Sequence, residues 1–221
     1  MSTTLEALLA PLRHSPQLIE AVDLLEQQIR SERERRSKFY EEMTPEQKIE
    51  FIDGEVVLHS SARNRHLDVT KNVLMLLNTH VQVRGLGEVK SEKCLCVFPR
   101  NDYEPDIVFF GKAKAATLAL DTMKFPVPDL IVEVLSESTE SRDRGVKFED
   151  FQAHGVGEYW IVDADRAVVE QYVLRGAAFE LVLKSGSGEL RSEVVPEFVV
   201  PVRAFFSAAE NLAALRGLLG S

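Results

Sequence analysis

The sequence predicts an α/β (α+β) protein in which a mixed β-sheet is flanked by helices. Apolar strand-like runs dominate the second half of the chain, an Asp-Gly pair marks a hairpin before them, and helical periodicity occurs near both ends. We expect an N-terminal helical extension over residues 1–43. A single domain over residues 44–221 would follow, ending in additional antiparallel strands and a helix.

Length and charge narrow the class of protein. The chain has 221 residues, 45% of them hydrophobic, which is enough for one core. Its net charge of −9 argues against a protein that coats nucleic acid along its whole surface, although a local basic channel is compatible with it. The apolar runs are shorter than the roughly 18 residues of a membrane helix, and the N-terminus shows no signal-peptide pattern. We therefore expect a soluble cytoplasmic protein with no membrane contact.

The first predicted helix covers residues 16–41. Leu18, Val22, Leu25 and Ile29 recur at spacings of four, three and four, which places them on one stripe of that helix. The stripe needs a surface to cover it, so the sequence predicts a homodimer. The charged continuation "RSERERRSK" indicates a solvated helical face, with a phosphate-contacting arm as the alternative.

A hairpin and a core helix come next. Asp53-Gly54 separates two short strand-like runs and is typical of a two-residue hairpin turn. After it, residues from Asn64 onward show near-helical apolar spacing, with Asn64 available as the cap. The predicted core positions of this helix are Leu67, Val73, Leu74, Leu77 and Val81.

The rest of the chain is predicted to be mostly strands. "VKSEKCLCVF", "PDIVFF" and "DLIVEVL" precede a helix over about Ser141 to His154 that Gly155 ends. "EYWIVD", "AVVEQYVL" and "FELVLK" follow as strands, and an amphipathic helix closes the chain. Cys94 and Cys96 lie two positions apart, so we expect two buried thiols, with a metal site as the alternative.

Two acidic residues stand out because their neighbours are apolar. Glu133 interrupts the run "LIVEVL", and Asp106 precedes "IVFF". A buried carboxylate is costly unless it is paired, hydrogen-bonded or bound to a metal. If the two strands are neighbours, their acids meet at one edge of the sheet, where a divalent cation would relieve the repulsion. The alternative is that each acid caps a turn or pairs with an arginine.

A lysine completes the pattern. Lys147 lies at the border of the apolar face of the predicted helix after Glu133 and can lean toward the sheet. Together, "PDIVFF", "PDLIVEVLSEST", "RDRGVK" and "GVGEYWIVD" resemble the PD-(D/E)xK nuclease superfamily, and in particular its family of bacterial restriction-endonuclease-like proteins with the lysine displaced onto the helix. The resemblance covers roughly Thr44 to the C-terminus and implies a restriction-endonuclease-like fold.

The resemblance also implies an activity and a site. Asp106, Glu133 and Lys147 match the catalytic positions of an endonuclease that hydrolyses phosphodiester bonds, with DNA favoured over RNA. Asp106, Glu133 and the backbone carbonyl of Val134 would hold Mg²⁺, for which Mn²⁺ can substitute. His66 could line the same pocket, although a structural role is favoured because nothing in its spacing demands a ligand there.

Three departures from the family pattern occur: Leu135 stands where the usual lysine would be, Phe151 stands where relatives more often have tyrosine, and Glu137 and Glu140 add negative charge where relatives often carry basic residues. The acidic balance of the chain and Glu137 oppose approach of a polyanion and keep a second interpretation open. The alternative is a catalytically weak or inactive binding or assembly module that acts as a homodimer.

Overall fold

The structure is a computed structural model that describes residues 5–44 and 46–220. Its helices are short apart from two, which lie in the first half of the chain. In chain order they are α1 (Leu5–Arg13), α2 (Leu18–Glu42), α3 (Asn64–Arg84), α4 (Lys112–Ala115), α5 (Glu140–Asp143), α6 (Val146–Ala153) and α7 (Ala208–Leu219), with a 3₁₀ turn at Val202–Phe205 before α7.

The strands follow the apolar runs of the sequence. In chain order they are β1 (Ile49–Ile52), β2 (Glu55–Leu58), β3 (Gly87–Ser91), β4 (Leu95–Val97), β5 (Asp102–Tyr103), β6 (Ile107–Gly111), β7 (Lys124–Phe125), β8 (Leu130–Val134), β9 (Glu158–Asp163), β10 (Val168–Arg175), β11 (Ala178–Ser185), β12 (Glu189–Arg191) and β13 (Val199–Pro201).

A mixed sheet forms the centre of the molecule, as predicted. Within the described residues it has six strands in the order β11-β10-β9-β8-β6-β3. Among the neighbouring strands described in this sheet, only β8 and β9 run parallel. The segment that contains α5 and α6 makes the crossover between them. The faces of β8 are covered by two apolar clusters, one built on α3, α7 and the 3₁₀ turn, the other on α6 and the second sheet. The predicted α+β class is therefore confirmed.

The predicted hairpin begins the second sheet. β1 and β2 pair antiparallel across Asp53-Gly54, and both turn residues have positive φ, 51° and 85°, which is the backbone of a type I′ turn. Among the described residues this sheet runs in the order β2-β1-β5-β4-β7. In this position, β1 lies beside the edge of the six-stranded sheet that carries Asp106 and Glu133.

Two predicted elements are divided in the structure. The run "VKSEKCLCVF" splits into β3 and β4, which belong to different sheets, because Glu92 and Lys93 both have positive φ and turn the chain. The single helix predicted over 141–154 is two helices, α5 and α6. Gly145 separates them at a point where a Cβ atom would lie only 2.7 Å from the carbonyl oxygen of Ser141.

The core helix α3 begins where it was predicted but is capped differently. Arg63, not Asn64, is the N-cap residue, and no side chain caps it; the Asn64 amide donates to Asp68 instead. Leu67 is exposed, whereas Val73, Leu77 and other residues of the opposite stripe are buried. Because this side of α3 packs on the core, the first turn of α3 lies near the edge of the six-stranded sheet.

The long helix α2 is anchored at one end only. Phe39 packs with Ile49, Phe51 and Leu95 in a separate buried cluster. Arg36 donates to Asp102 at 2.6 and 2.7 Å and also to backbone carbonyls of the loop before β5. The division into residues 1–43 and 44–221 stays a prediction.

Two further expectations concern thiols and membranes. Cys94 and Cys96 are both buried and free, as expected for structural thiols. In the part of the chain that the structure describes, no helix is long and apolar enough to cross a membrane.

Candidate active site

The two acids singled out in the sequence lie against each other. β6 and β8 are antiparallel neighbours, with Ile107 opposite Val132. This register brings the backbone N–H of Asp106 to 3.3 Å from Glu133 Oε2, while the N–H of Val134 donates to Asp106 Oδ2 at 2.9 Å. Both carboxylates are buried. The hydrogen bonds to backbone N–H groups fix their positions at the edge of the sheet.

Lys147 reaches the same point from α6. Its ammonium lies 2.9 Å from Glu133 Oε1 and is 1% exposed. The break at Gly145 turns α6 over the face of β8 on which Glu133 lies. The lysine is therefore displaced in sequence but adjacent in space, and Leu135, at the usual lysine position, packs at the edge of the apolar cluster built on α6.

Two more carboxylates surround the lysine. Lys147 Nζ lies 2.9 Å from Oε1 of Glu50, on β1, and 3.3 Å from Oδ1 of Asp143, at the end of α5. Glu50 also accepts the N–H of Glu104 and lies 2.9 Å from His59 Nε2. The second sheet thus contributes an acid to a site that the sequence assigned to the first.

A lysine and a histidine lie on the other side, at Asp106. Lys48 Nζ is 2.8 Å from Asp106 Oδ1, and His66 Nε2 is 3.5 Å from the same oxygen. Lys48 keeps a quarter of its side chain exposed, whereas Lys147 is enclosed. His66 therefore does line the site, on the first turn of α3.

The charges of this cluster do not balance by themselves. Four carboxylates, those of Glu50, Asp106, Glu133 and Asp143, face two lysines. Burial, reinforced by the charges of Asp143, Asp106 and Glu50 and opposed by Lys147, raises the pKa of Glu133 to about 8. A proton on Glu133 is thus the way in which the site reduces its excess of negative charge.

Burial also raises the pKa of Asp143, opposed by Lys147, whereas the pKa values of Glu50 and Asp106 shift in the opposite direction. Burial opposes ionisation of Glu50, but Lys147 and His59 hold its pKa at about 2. Burial likewise opposes ionisation of Asp106, but His66 and Lys48 keep its pKa below the ordinary value. Despite its burial, Lys147 has a raised pKa because Glu133, Glu50 and Asp143 surround it. The lysine is charged at neutral pH.

The acids form the floor of an open cleft of about 730 Å³. Its walls come from α3, from the loop between β2 and α3, and from the segment between β8 and α5. The basic side chains that line it are Lys48, Arg63, Arg65, His66, Arg142 and Lys147. Five acids, Glu92, Asp106, Glu133, Glu137 and Asp165, line the cleft as well and match its five lysines and arginines in number.

The residues present fit a divalent cation. Mg²⁺ in proteins commonly takes one or two carboxylates and keeps several waters, which matches Asp106 and Glu133. No three acidic, histidine or cysteine side chains of the described residues converge as a ready-made metal site. A cation at this position would replace the proton of Glu133 and the contact of Lys48 with Asp106. The cluster has two more carboxylates than lysines, and the two positive charges of such an ion would offset this excess.

The sequence reasoning missed Glu50, Asp143 and Lys48. Glu50 carried a usable signal, since it interrupts the apolar strand "IEFI" just as Glu133 interrupts "LIVEVL". Asp143 and Lys48 carried none, because each sits among polar residues and becomes a site residue only through the packing of α5 and the second sheet.

Comparisons with known proteins agree with this geometry. The model of the Uma2 family, described as "putative restriction endonuclease", matches residues 37–203. The chain belongs to the Uma2 family. The recognition of a restriction-endonuclease-like nuclease family from the sequence is therefore confirmed. The matched range begins within the anchored end of α2 and includes every residue of the charge cluster.

A solved structure resembles the Uma2 protein over most of its length. It is a putative nuclease of the DUF820 group from Anabaena variabilis, 17% identical, with a TM-score of 0.67 over 81% of this chain and 97% of that one. At this identity the likeness supports the nuclease-like fold alone. A search among proteins of curated function found no match.

Proposed function

We propose that this protein is a metal-dependent nuclease that hydrolyses phosphodiester bonds of DNA. The observation that carries the proposal is the contact of Asp106 with Glu133 on neighbouring strands, with Lys147 Nζ 2.9 Å from Glu133, at the floor of an open cleft. The nuclease description of the Uma2 family supports the reaction class, and its restriction-endonuclease description favours DNA over RNA.

The acids have the role of ligands in this proposal. Asp106 and Glu133 would hold Mg²⁺, or Mn²⁺ in its place, together with the backbone carbonyl of Val134. When bound, such an ion lowers the pKa of a coordinated water and stabilises the charge that develops on the phosphate. The backbone N–H groups that donate to both carboxylates hold them at neighbouring positions of β6 and β8.

Lys147 acts in this site mainly through charge balance. Its ammonium is already contacted by three carboxylates, so it keeps Glu133 in place and limits the negative charge near an incoming phosphate. Lys48 is the ammonium nearer the cleft and remains partly exposed there. The lysines and arginines that line the cleft would contact the phosphates of a polyanion, although acids match them in number.

The test is cleavage of single- and double-stranded DNA and RNA with Mg²⁺, with Mn²⁺ and with EDTA. We expect metal-dependent cleavage of DNA that Glu133→Ala abolishes, and Mn²⁺ binding in calorimetry that Asp106→Ala abolishes. Glu149→Gln, which neutralises an exposed acid on α6, is the matched control and should cleave normally. Absence of cleavage and of Mn²⁺ binding in the wild-type protein would contradict the proposal and favour the binding or assembly module.

We further propose that the nuclease is a homodimer formed through α2. Leu18, Val22, Leu25 and Ile29 are 38–49% exposed on the unanchored half of this helix. Their spacing of four, three and four is that of the contact positions of a coiled coil, so the stripe of a second copy is the surface that complements it.

Sedimentation at tens of micromolar tests the dimer. Leu25→Glu should convert a dimer to a monomer, whereas Gln27→Glu, which adds the same charge beside it on the exposed helix, should not. A wild-type monomer, or a dimer that tolerates Leu25→Glu, would contradict the proposed interface.

A further inference from the structure

Arg142 differs from the lysines and the other arginines of the cleft because no acid of the described residues pairs with it. Arg63 lies 3.1 Å from Glu137 and Arg65 lies 2.6 Å from Asp165. Lys48 and Lys147 contact the carboxylates of the floor. Among the described residues, no hydrogen bond or ion pair involves the guanidinium of Arg142, which also lines the cleft.

The position of Arg142 makes this absence informative. Its Nε is shielded from solvent by the protein and has no hydrogen-bond partner. A shielded donor of a charged group without a partner is unfavourable, so a site of this kind is expected to have a ligand. Arg142 immediately precedes Asp143, and the carboxylate of Asp143 contacts Lys147. Arg142 is thus a cation that lines the same cleft as Asp106 and Glu133.

The chemistry of the group indicates which ligand it takes. A guanidinium presents a planar fork of donors that matches a phosphate and stays charged at every physiological pH. Arg63 and Arg65, in contrast, already have carboxylate partners in exposed ion pairs. An anion that enters the cleft therefore finds one uncompensated cation there among the described residues.

We propose that Arg142 binds a backbone phosphate of the DNA substrate, next to the phosphate placed over Asp106 and Glu133. This inference rests on the proposed nuclease function and names one residue that sets the register of the substrate. Arg142 contacts a substrate phosphate and takes no part in holding the metal or activating water.

Binding of a fluorescent DNA duplex of about 20 base pairs, measured in EDTA over a range of salt, separates this inference from catalysis. Arg142→Gln should weaken binding about 5- to 10-fold at low salt and reduce the salt slope by about one phosphate contact. Arg142→Lys should keep the slope with intermediate affinity, because the charge remains and the fork is lost. Thermal unfolding should change little in either variant, since neither removes a hydrogen bond or ion pair of the described residues.

Arg203→Gln is the matched control. Arg203 is an exposed arginine that pairs with Glu210 and does not line the cleft. The substitution therefore removes the same charge at a place away from the proposed phosphate contact. Equal effects of the Arg142 and Arg203 substitutions, or no DNA binding by the wild-type protein in EDTA, would overturn the inference. Normal Arg142-dependent binding without cleavage in Mg²⁺ would instead contradict the proposed nuclease while leaving the phosphate contact in place.

Discussion

Replacing Glu133 by glutamine should make the protein more stable at neutral pH while it abolishes cleavage. The carboxyl of Glu133 is buried, and burial together with Asp143, Asp106 and Glu50 raises its pKa from 4.5 to about 8. Glutamine has the same shape and cannot ionise. The substitution therefore reproduces the protonated form that the fold favours and removes the unfavourable charge that function needs.

The magnitude follows from the pKa of Glu133. Its folded-state pKa lies above the unfolded value, so the stabilising effect of the protonated group is complete below about pH 4.5 and is lost as the pH rises through about 8. At pH 7 this loss is about 3 kcal/mol, at about 1.4 kcal/mol per pKa unit. In the variant, the amide NH₂ of the glutamine faces the N–H of Asp106, so the long hydrogen bond from that N–H is lost. This loss lowers the free energy of unfolding of the variant by about 1 kcal/mol.

Urea unfolding of the wild-type protein and Glu133→Gln in EDTA measures this difference. We expect a gain of about 2 kcal/mol for the variant at pH 7, a further gain of about 1 kcal/mol toward pH 8.5, and none near pH 5. Glu149→Gln, on the exposed face of α6, should show no such dependence on pH.

The opposite result would refute the reasoning. If Glu133→Gln is less stable than the wild-type protein at pH 7 to 8, Glu133 is ionised in the folded protein without any metal. Its ion pair with Lys147 would then be a net stabilising contact, and the charge excess of the cluster would have to be carried by another acid.

Three further predictions concern the same cluster and its support. Lys147→Ala should reduce the cleavage rate by about 10² or more with Mn²⁺ binding retained in calorimetry, and Leu135→Lys in that background should recover part of the rate. Mg²⁺ affinity should rise with pH and level off above about 8, with proton release at pH 7, because the ion displaces the proton of Glu133; a flat profile would contradict this. Asp102→Asn should cost about 2–4 kcal/mol in urea unfolding, because it leaves the Arg36 guanidinium with a weaker partner.

The sequence predicted the parts of the site that depend on local pattern. Acids inside apolar strands pointed to Asp106 and Glu133, and helical spacing placed Lys147 close to the sheet. The structure brings these three together, while their catalytic and metal-binding roles stay predictions. Asp53-Gly54 specified its hairpin because a type I′ turn needs two residues that tolerate positive φ.

The remaining features depend on contacts between distant segments. Nothing near Lys48 or Asp143 in the chain reveals that packing of the second sheet and of α5 brings them to the acids. The break at Gly145 depends on the approach of a backbone oxygen to the missing Cβ, which no periodicity encodes. The guanidinium of Arg36 reads as part of a solvated charged run, yet it is fixed by the loop before β5.

The wide separation of the site residues along the chain makes the charge cluster a product of long-range folding. Asp106 precedes Glu133 by 27 residues and follows Lys48 by 58, and Glu50 comes from a different sheet from either acid. No fragment that ends before α6 contains the whole charge cluster, so a nascent chain on the ribosome holds only scattered acids. The four acids and two lysines come together only after strands from both sheets have formed and packed against each other.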